Sequence, residues 1–168
     1  MNARRESEHT LAKNLTTVER KSDRELVVTR TFNGPARIVF EAWTKPELFR
    51  QWWVPRSMGM SLLSCEMNVR AGGKYRLEFA HGDSTAAFFG TYKEVMPHSR
   101  LVWTNEESDD GPVTTVTFAE TGGKTLLVMH ELYSSKEALD AAGTGAADAM
   151  GETFGQLDEL LGALSPRS

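Results

Sequence analysis

The side chains of this sequence best suited to nucleophilic, acid–base or metal chemistry are its four histidines, His9, His81, His98 and His130, and its single cysteine, Cys65. His9 precedes the aromatic-bearing part of the chain, and His81 and His98 fall in turn-like stretches. Only His130 stands inside an apolar run, Leu126-Leu127-Val128-Met129-His130. It reads either as a hydrogen-bonded histidine at the end of a core strand or as a polar contact at the mouth of a cavity. Acid–base catalysis needs a second group within hydrogen-bond reach, and Glu131, adjacent on a strand, points to the opposite face. His130-Glu131 opens like a zinc-protease motif, but the second histidine position holds Ser134, and a strand does not present i and i+4 as a helix does. Gly123-Lys124-Thr125 looks like the end of a phosphate loop, yet the first glycine position is Phe118 and the segment joins two strands. A Gly-x-Ser-x-Gly elbow is absent. A lone cysteine forms no internal disulfide, which suits a reducing cytoplasm, where the Asn14-Leu15-Thr16 sequon carries no meaning. No catalytic residue, metal or cofactor is expected.

The aromatic residues carry more information. Tyr75, Leu77 and Phe79 alternate onto one strand face, as do Phe88, Gly90 and Tyr92 on the next, and Leu101 with Trp103 on a third. Met150 and Phe154 on a long helix, with Trp52 and Trp53 on a short one, are expected to face them. Each of these residues reads singly as core. Together they read as the lining of a small-molecule pocket, which is mostly apolar with few polar groups. The candidate ligand-binding set is Trp53, Tyr75, Phe79, Phe88, Tyr92, Trp103, His130, Met150 and Phe154.

Positioning these residues requires a definite order of elements. Leu26, Val28 and Arg30 alternate with Val27, Thr29 and Thr31 in a strand that ends at Asn33-Gly34. Pro35 opens a helix with Val39, Phe40 and Trp43 on its apolar side. Thr44 is placed to cap a second short helix bearing Leu48, Phe49, Trp52 and Trp53, which Pro55 stops. Period-2 patterning then predicts six strands, at 61–69, 74–81, 85–96, 100–106, 113–120 and 124–133, in an antiparallel meander joined by short turns. Met150, Phe154, Leu157, Leu161 and Leu164 step by helical spacing. Ser135 is a fair N-cap for an earlier stretch, and Gly143 and Gly145 break it. The class is α+β, in the order β-α-α-β6-α, with a curved antiparallel sheet around a long C-terminal helix.

The chain of 168 residues suits one domain. Residues 1–24 hold six Lys/Arg and four Asp/Glu and no aromatic, whereas 14 of the 15 aromatics lie within 25–133. This predicts an appendage at 1–24 and a compact domain at 25–165. Leu11, Leu15 and Val18 fall at helical spacing, so 8–20 is expected to form a short helix against the outer face of the sheet. Leu127 and Met129 are expected on that outer face, with Leu126, Val128 and His130 inside, and the sheet that the helix covers is that of its own chain or of a symmetry partner in a homodimer. A net charge of −4 gives no basic surface for nucleic acid. No apolar run is long enough to span a membrane, and the N-terminus lacks the apolar core of a secretory signal.

Several runs in order carry a family resemblance: Arg30-Thr-Phe-Asn-Gly-Pro35, Val39-Phe40-Glu-Ala-Trp-Thr-Lys-Pro46-Glu-Leu48, Gln51-Trp52-Trp53, Arg70-Ala-Gly72-Gly73-Lys-Tyr75, Gly90-Thr-Tyr92-Lys-Glu-Val95-Met-Pro97, Arg100-Leu-Val-Trp103-Thr104, Thr125-Leu126-Leu-Val128-Met-His130-Glu131 and Leu157-Asp-Glu-Leu160. Over 26–164 the chain resembles the homologues of the activator of the 90-kDa heat-shock protein ATPase. These belong to the START-like, helix-grip superfamily, which also holds polyketide cyclases and lipid-transfer domains. The resemblance implies a helix-grip fold, a cytoplasmic protein connected with stress response, and a cavity for a small apolar or amphipathic ligand. A chaperone-associated or regulatory interaction module and a cyclase-like enzyme are the alternatives it leaves. The activator that names the family carries a chaperone-binding domain before the START-like one. Only 24 residues precede the domain here, so strong stimulation of a chaperone ATPase by this chain alone is not expected.

Overall fold

The computed structural model of the chain describes residues 16–107, 109, 111–143 and 149–164. Two strands open it, β1 (Thr17–Arg20) and β2 (Glu25–Phe32), followed by helices α1 (Ala36–Thr44) and α2 (Pro46–Phe49) and a 3₁₀ turn at Arg56–Met58. Six strands follow: β3 (Ser61–Met67), β4 (Lys74–His81), β5 (Ser84–Met96), β6 (Arg100–Thr104), β7 (Val113–Thr121) and β8 (Lys124–Leu132). Helices α3 (Lys136–Ala142) and α4 (Met150–Leu164) close the chain.

All eight strands form one antiparallel sheet in the order β1-β2-β8-β7-β6-β5-β4-β3. The six-strand meander is present as expected, and its last strand returns to pair with β2. The element order differs from β-α-α-β6-α by one strand at the front and one helix before α4. Thr17–Arg20, expected to continue a helix, pairs instead with 26–29 of β2 at the sheet edge. β2 otherwise presents an unpaired row of backbone donors and acceptors, and an adjacent β-capable segment satisfies them. Leu11 and Leu15, the other members of that helical stripe, lie outside the described residues. Ser135 does cap α3, its Oγ accepting from the Ala138 N–H at 3.0 Å. Thr44 does not cap α2: its hydroxyl donates back to the Phe40 carbonyl at 2.9 Å.

One face of the sheet is the core. Leu26, Val28, Arg30 and Phe32 of β2, Val116 and Phe118 of β7, and Tyr75, Leu77 and Phe79 of β4 are all buried. Against them lie Val39, Phe40 and Trp43 of α1 and Met150, Phe154, Leu157 and Leu161 of α4. The orientation of β8 is the reverse of the expected one. Leu127 and Met129 are buried, at 0 % and 4 % exposure, whereas Leu126 is exposed at 42 %. Opposed residues of an antiparallel pair share a face. The register sets Leu127 opposite Arg30, Met129 opposite Val28 and Glu131 opposite Leu26, all inward. A run apolar on both faces does not reveal which face is inner.

Two polar devices built on buried side chains tie α4 to the rest, beside exposed contacts of Glu152 with Ser57 and of Glu159 with Arg56. Arg30, buried in β2, donates from Nη2 to Asp158 Oδ2 and from Nη1 to Thr16 Oγ1 at 2.9 Å. Buried Gln156 donates from Nε2 to the Trp52 and Val54 carbonyls at 3.0 and 2.9 Å, and its Oε1 accepts from the Arg56 N–H at 2.9 Å. The segment after α2 is thus fastened onto the helix. Among the described residues, no helix is long and apolar enough to cross a membrane.

Candidate functional site

Between the inner face of the sheet, α1, the 46–58 segment and the start of α4 lie three adjoining concavities. Trp53 borders all three. The first, about 50 Å³, lies among Trp43, Phe49, Trp53, Tyr75, Tyr92 and Trp103. The second, about 110 Å³, is enclosed by Trp53, Trp103, Met129 and Met150 with Asn105, Thr114 and Glu131. The third, about 320 Å³, opens between the 53–60 stretch, Phe79 and Phe88, and Ala149, Met150 and Thr153. The walls are held by ring–ring contact: Tyr75 to Tyr92 at 5.7 Å, Phe79 to Phe88 at 5.0 Å, Trp43 to Trp103 at 6.0 Å and Phe49 to Trp53 at 4.8 Å. Gly90 lets the sheet close on Tyr75. A Cβ there would stand 1.9 Å from the Thr104 carbonyl oxygen and 2.8 Å from Tyr75 Cε2, which accounts for a glycine inside a strand.

Seven of the nine ligand-binding candidates border these spaces: Trp53, Tyr75, Phe79, Phe88, Tyr92, Trp103 and Met150. Phe154 borders none of the three. It is fully buried, edge-on to Phe32 at 5.3 Å and near Trp43 at 6.2 Å, a core residue beneath the site. His130 lies on the outer face of the sheet, its Nε2 2.8 Å from Glu25 Oε2. That bond holds the Glu25 carboxyl below the usual carboxylate range. Of the two readings of His130, the hydrogen-bonded histidine at a strand end is the one the geometry supports.

Apart from Tyr75, the polar end of the site consists of residues outside the candidate set. Tyr75 donates its hydroxyl to the Thr104 carbonyl at 2.8 Å, with Asn105 Oδ1 at 3.3 Å. Asn105 Nδ2 donates to the Pro112 carbonyl at 2.8 Å and to Thr114 Oγ1 at 2.9 Å. Thr114 donates on to Glu131 Oε2 at 3.3 Å, and the Tyr133 hydroxyl reaches Glu131 Oε1 at 3.4 Å. Desolvation pushes the Glu131 carboxyl above its ordinary range, against the pull of these two hydroxyls. Burial likewise raises Tyr75 and Tyr92, and raises Tyr133, beside Glu131, to about 12. Burial also raises the Cys65 thiol, so it is held as the weakly nucleophilic thiol. The available signal for Glu131 was a carboxylate inside an otherwise apolar strand, on the face opposite His130. Fixing which face was inner required the pairing with β2.

Trp43 adds a second unusual group. Its indole Nε1 is buried without a hydrogen-bond partner, whereas the neighbouring Trp52 donates to the Ala42 carbonyl at 2.9 Å. Among the described residues, no group of three or more His, Cys, Asp or Glu side chains is placed to hold a metal ion.

Residues 33–162 match the family model described as Activator of Hsp90 ATPase homolog 1-like protein. No curated protein matches the chain. A crystal structure of a Rhodobacter sphaeroides protein is similar at 25 % identity and a TM-score of 0.80, covering 89 % of this chain and 99 % of that one. A solution NMR structure from Staphylococcus epidermidis is 26 % identical with a TM-score of 0.74, covering 90 % and 97 %. A crystal structure from Nitrosomonas europaea is 22 % identical with a TM-score of 0.77, covering 86 % and 97 %. These likenesses concern the fold, an α+β helix-grip arrangement with a large curved antiparallel sheet. A shared fold leaves the reaction and the ligand open.

Proposed function

The chain belongs to the family of Activator of Hsp90 ATPase homolog 1-like proteins, and from that premise and the geometry of the site we propose that it binds a small apolar or amphipathic molecule between the inner face of the sheet and α4. One observation carries the reading: seven of the candidate side chains, most of them aromatic, converge on adjoining spaces whose polar groups gather at Asn105, Thr114 and Glu131, with Thr153 in the wall of the third. A filled core would close such rings against one another, since interiors pack to crystal-like density. Small-molecule sites combine a mostly apolar wall with a few convergent polar groups.

Native mass spectrometry of the purified full chain tests the proposal directly, because a carried ligand adds a discrete mass that disappears on unfolding. An apolar fluorescent probe provides the second arm. Its affinity is expected to fall for Trp103→Ala, which removes a wall shared by two of the spaces, and to hold for the surface change Leu126→Ala. Absence of any carried mass, together with a probe indifferent to Trp103, defeats the proposal and turns attention to the protein's surface and a chaperone or other partner.

A further inference from the structure

Glu131 stands at the end of an aromatic-walled space, and among the described residues no cation pairs with it there, the nearest charge effect coming from His130 on the other face of the strand. Among the described residues its two oxygens receive neutral hydroxyl hydrogens, from Thr114 and Tyr133, at 3.3 and 3.4 Å. The network feeding it runs in one direction. Both hydrogens of Asn105 Nδ2 are committed, to Pro112 and to Thr114 Oγ1, which leaves the Thr114 hydrogen for Glu131. The carboxyl group is therefore held as an acceptor by donors at the long end of hydrogen-bond range. Among the described residues, none of the ion pairs involves it, although Asp158, its counterpart on α4, pairs with Arg30. Glu131 keeps partial contact with solvent, and a carboxylate that has given up part of its hydration is ordinarily paired with a cation. The walls of the same space include Trp53 and Trp103, whose faces attract cations.

Resting on the pocket reading above, we infer that the ligand carries a cationic amine, seated against Glu131 between Trp53 and Trp103, with its apolar body directed toward Met150 and the larger space beyond. Indole faces, a carboxylate acceptor and apolar methionine walls together fit an ammonium group on a hydrocarbon or aromatic body. An anionic head would meet the carboxylate. A neutral head would leave the indole faces and the carboxylate without the charge that complements both.

Isothermal titration calorimetry of the full chain with three matched molecules, phenethylamine, phenethyl alcohol and hydrocinnamate, tests this. The amine is expected to bind at least about tenfold more tightly than the alcohol, the scale of one charge-assisted contact, and the carboxylate most weakly. Glu131→Gln keeps the shape and the hydrogen bonding to Thr114. In that variant the amine is expected to fall to the affinity of the alcohol while the alcohol is unchanged. Equal binding of all three, the carboxylate binding tightest, or an amine preference that survives Glu131→Gln overturns the inference and leaves the pocket standing. Failure of all three to bind overturns the pocket reading, and the inference with it.

Discussion

Neighbours at positions 130 and 131 have exchanged the roles their residue types suggest. The histidine pairs with Glu25 on the outer surface, and the glutamate faces the aromatic interior. This has a consequence for stability that can be read against pH. Below about pH 4.5, the ordinary value for the free group, Glu131 is protonated in both the folded and the unfolded chain, and its burial carries no charge penalty. As the pH rises, the unfolded chain releases the proton first, because desolvation raises the folded-state value. Stability attributable to this residue therefore declines from the unfolded pKa up to the folded one and is level above it. Glu25, Glu106, Glu152 and Asp140, lowered mainly by side-chain hydrogen bonds, slope the other way: what they contribute is lost as the pH falls through their folded values. Asp158, raised by desolvation despite its pairing with Arg30, descends with Glu131, so subtracting Glu131→Gln melting temperatures from wild type across pH isolates the part that belongs to Glu131. The variant is expected to gain relative to wild type on going from acid to neutral pH. A flat difference would place the carboxyl in water. Gly90 offers a second residue-scale test. Gly90→Ala forces its Cβ into the Thr104 carbonyl and Tyr75 and is expected to cost about 1–3 kcal/mol in urea unfolding, as overpacking does.

Elements were more legible than orientations. The meander, its turns, the apolar face of α1 and the stripe on α4 all follow from period and punctuation, and each was visible in the sequence. The facing of β8 was not, because Leu126-Leu127-Val128-Met129 satisfies either orientation, and only the pairing with Leu26, Val28 and Arg30 selects one. A substitution pair one residue apart distinguishes them. Leu127→Ala is expected to cost about 2–5 kcal/mol as a buried leucine, whereas Leu126→Ala, exposed on the outer face, stays within roughly 0.5 kcal/mol. Equal effects would mean that the strand is reversed or two-sided. The strand at Thr17–Arg20 was likewise hidden, since Val18 completes a helical spacing with Leu11 and Leu15 but takes its place in the sheet by pairing opposite Val28. The clasp at Gln156 belongs to the same scale. One side chain answers two carbonyls and one N–H of the segment that walls the largest of the three adjoining spaces. Gln156→Leu leaves all three without that partner at a cost of about 1–3 kcal/mol for each group that stays buried. Amide exchange over 52–58 is expected to accelerate in that variant more than exchange in β7 and β8. Uniform acceleration would instead report global destabilisation.

Across the whole molecule, the aromatic groups join elements that no short stretch of chain could bring together. Trp43 of α1 contacts Trp103 of β6, Phe118 of β7 and Phe154 of α4, while Trp53 closes on Phe49. The walls of the candidate site accordingly come from α1, the 46–58 segment, strands from β3 to β8 and α4. Unfolding separates all of these at once, so no fragment of the site survives to hold a ligand in the unfolded chain. A molecule bound there stabilises the folded state alone, by the full mass-action amount: about 2.7 kcal/mol when free ligand reaches a hundred times its Kd. For a domain of this size each kcal/mol moves the melting temperature by roughly 2–4 °C, so saturation is expected to raise it by about 5–10 °C. Differential scanning calorimetry against ligand concentration measures this, and the rise should continue logarithmically beyond saturation, as binding to the native state alone requires. A molecule that attached to the outer face of one strand would also meet that strand in the unfolded ensemble, and its shift would flatten. The outcome that contradicts an interior site is therefore a ligand of measured affinity whose melting shift stops growing at high concentration.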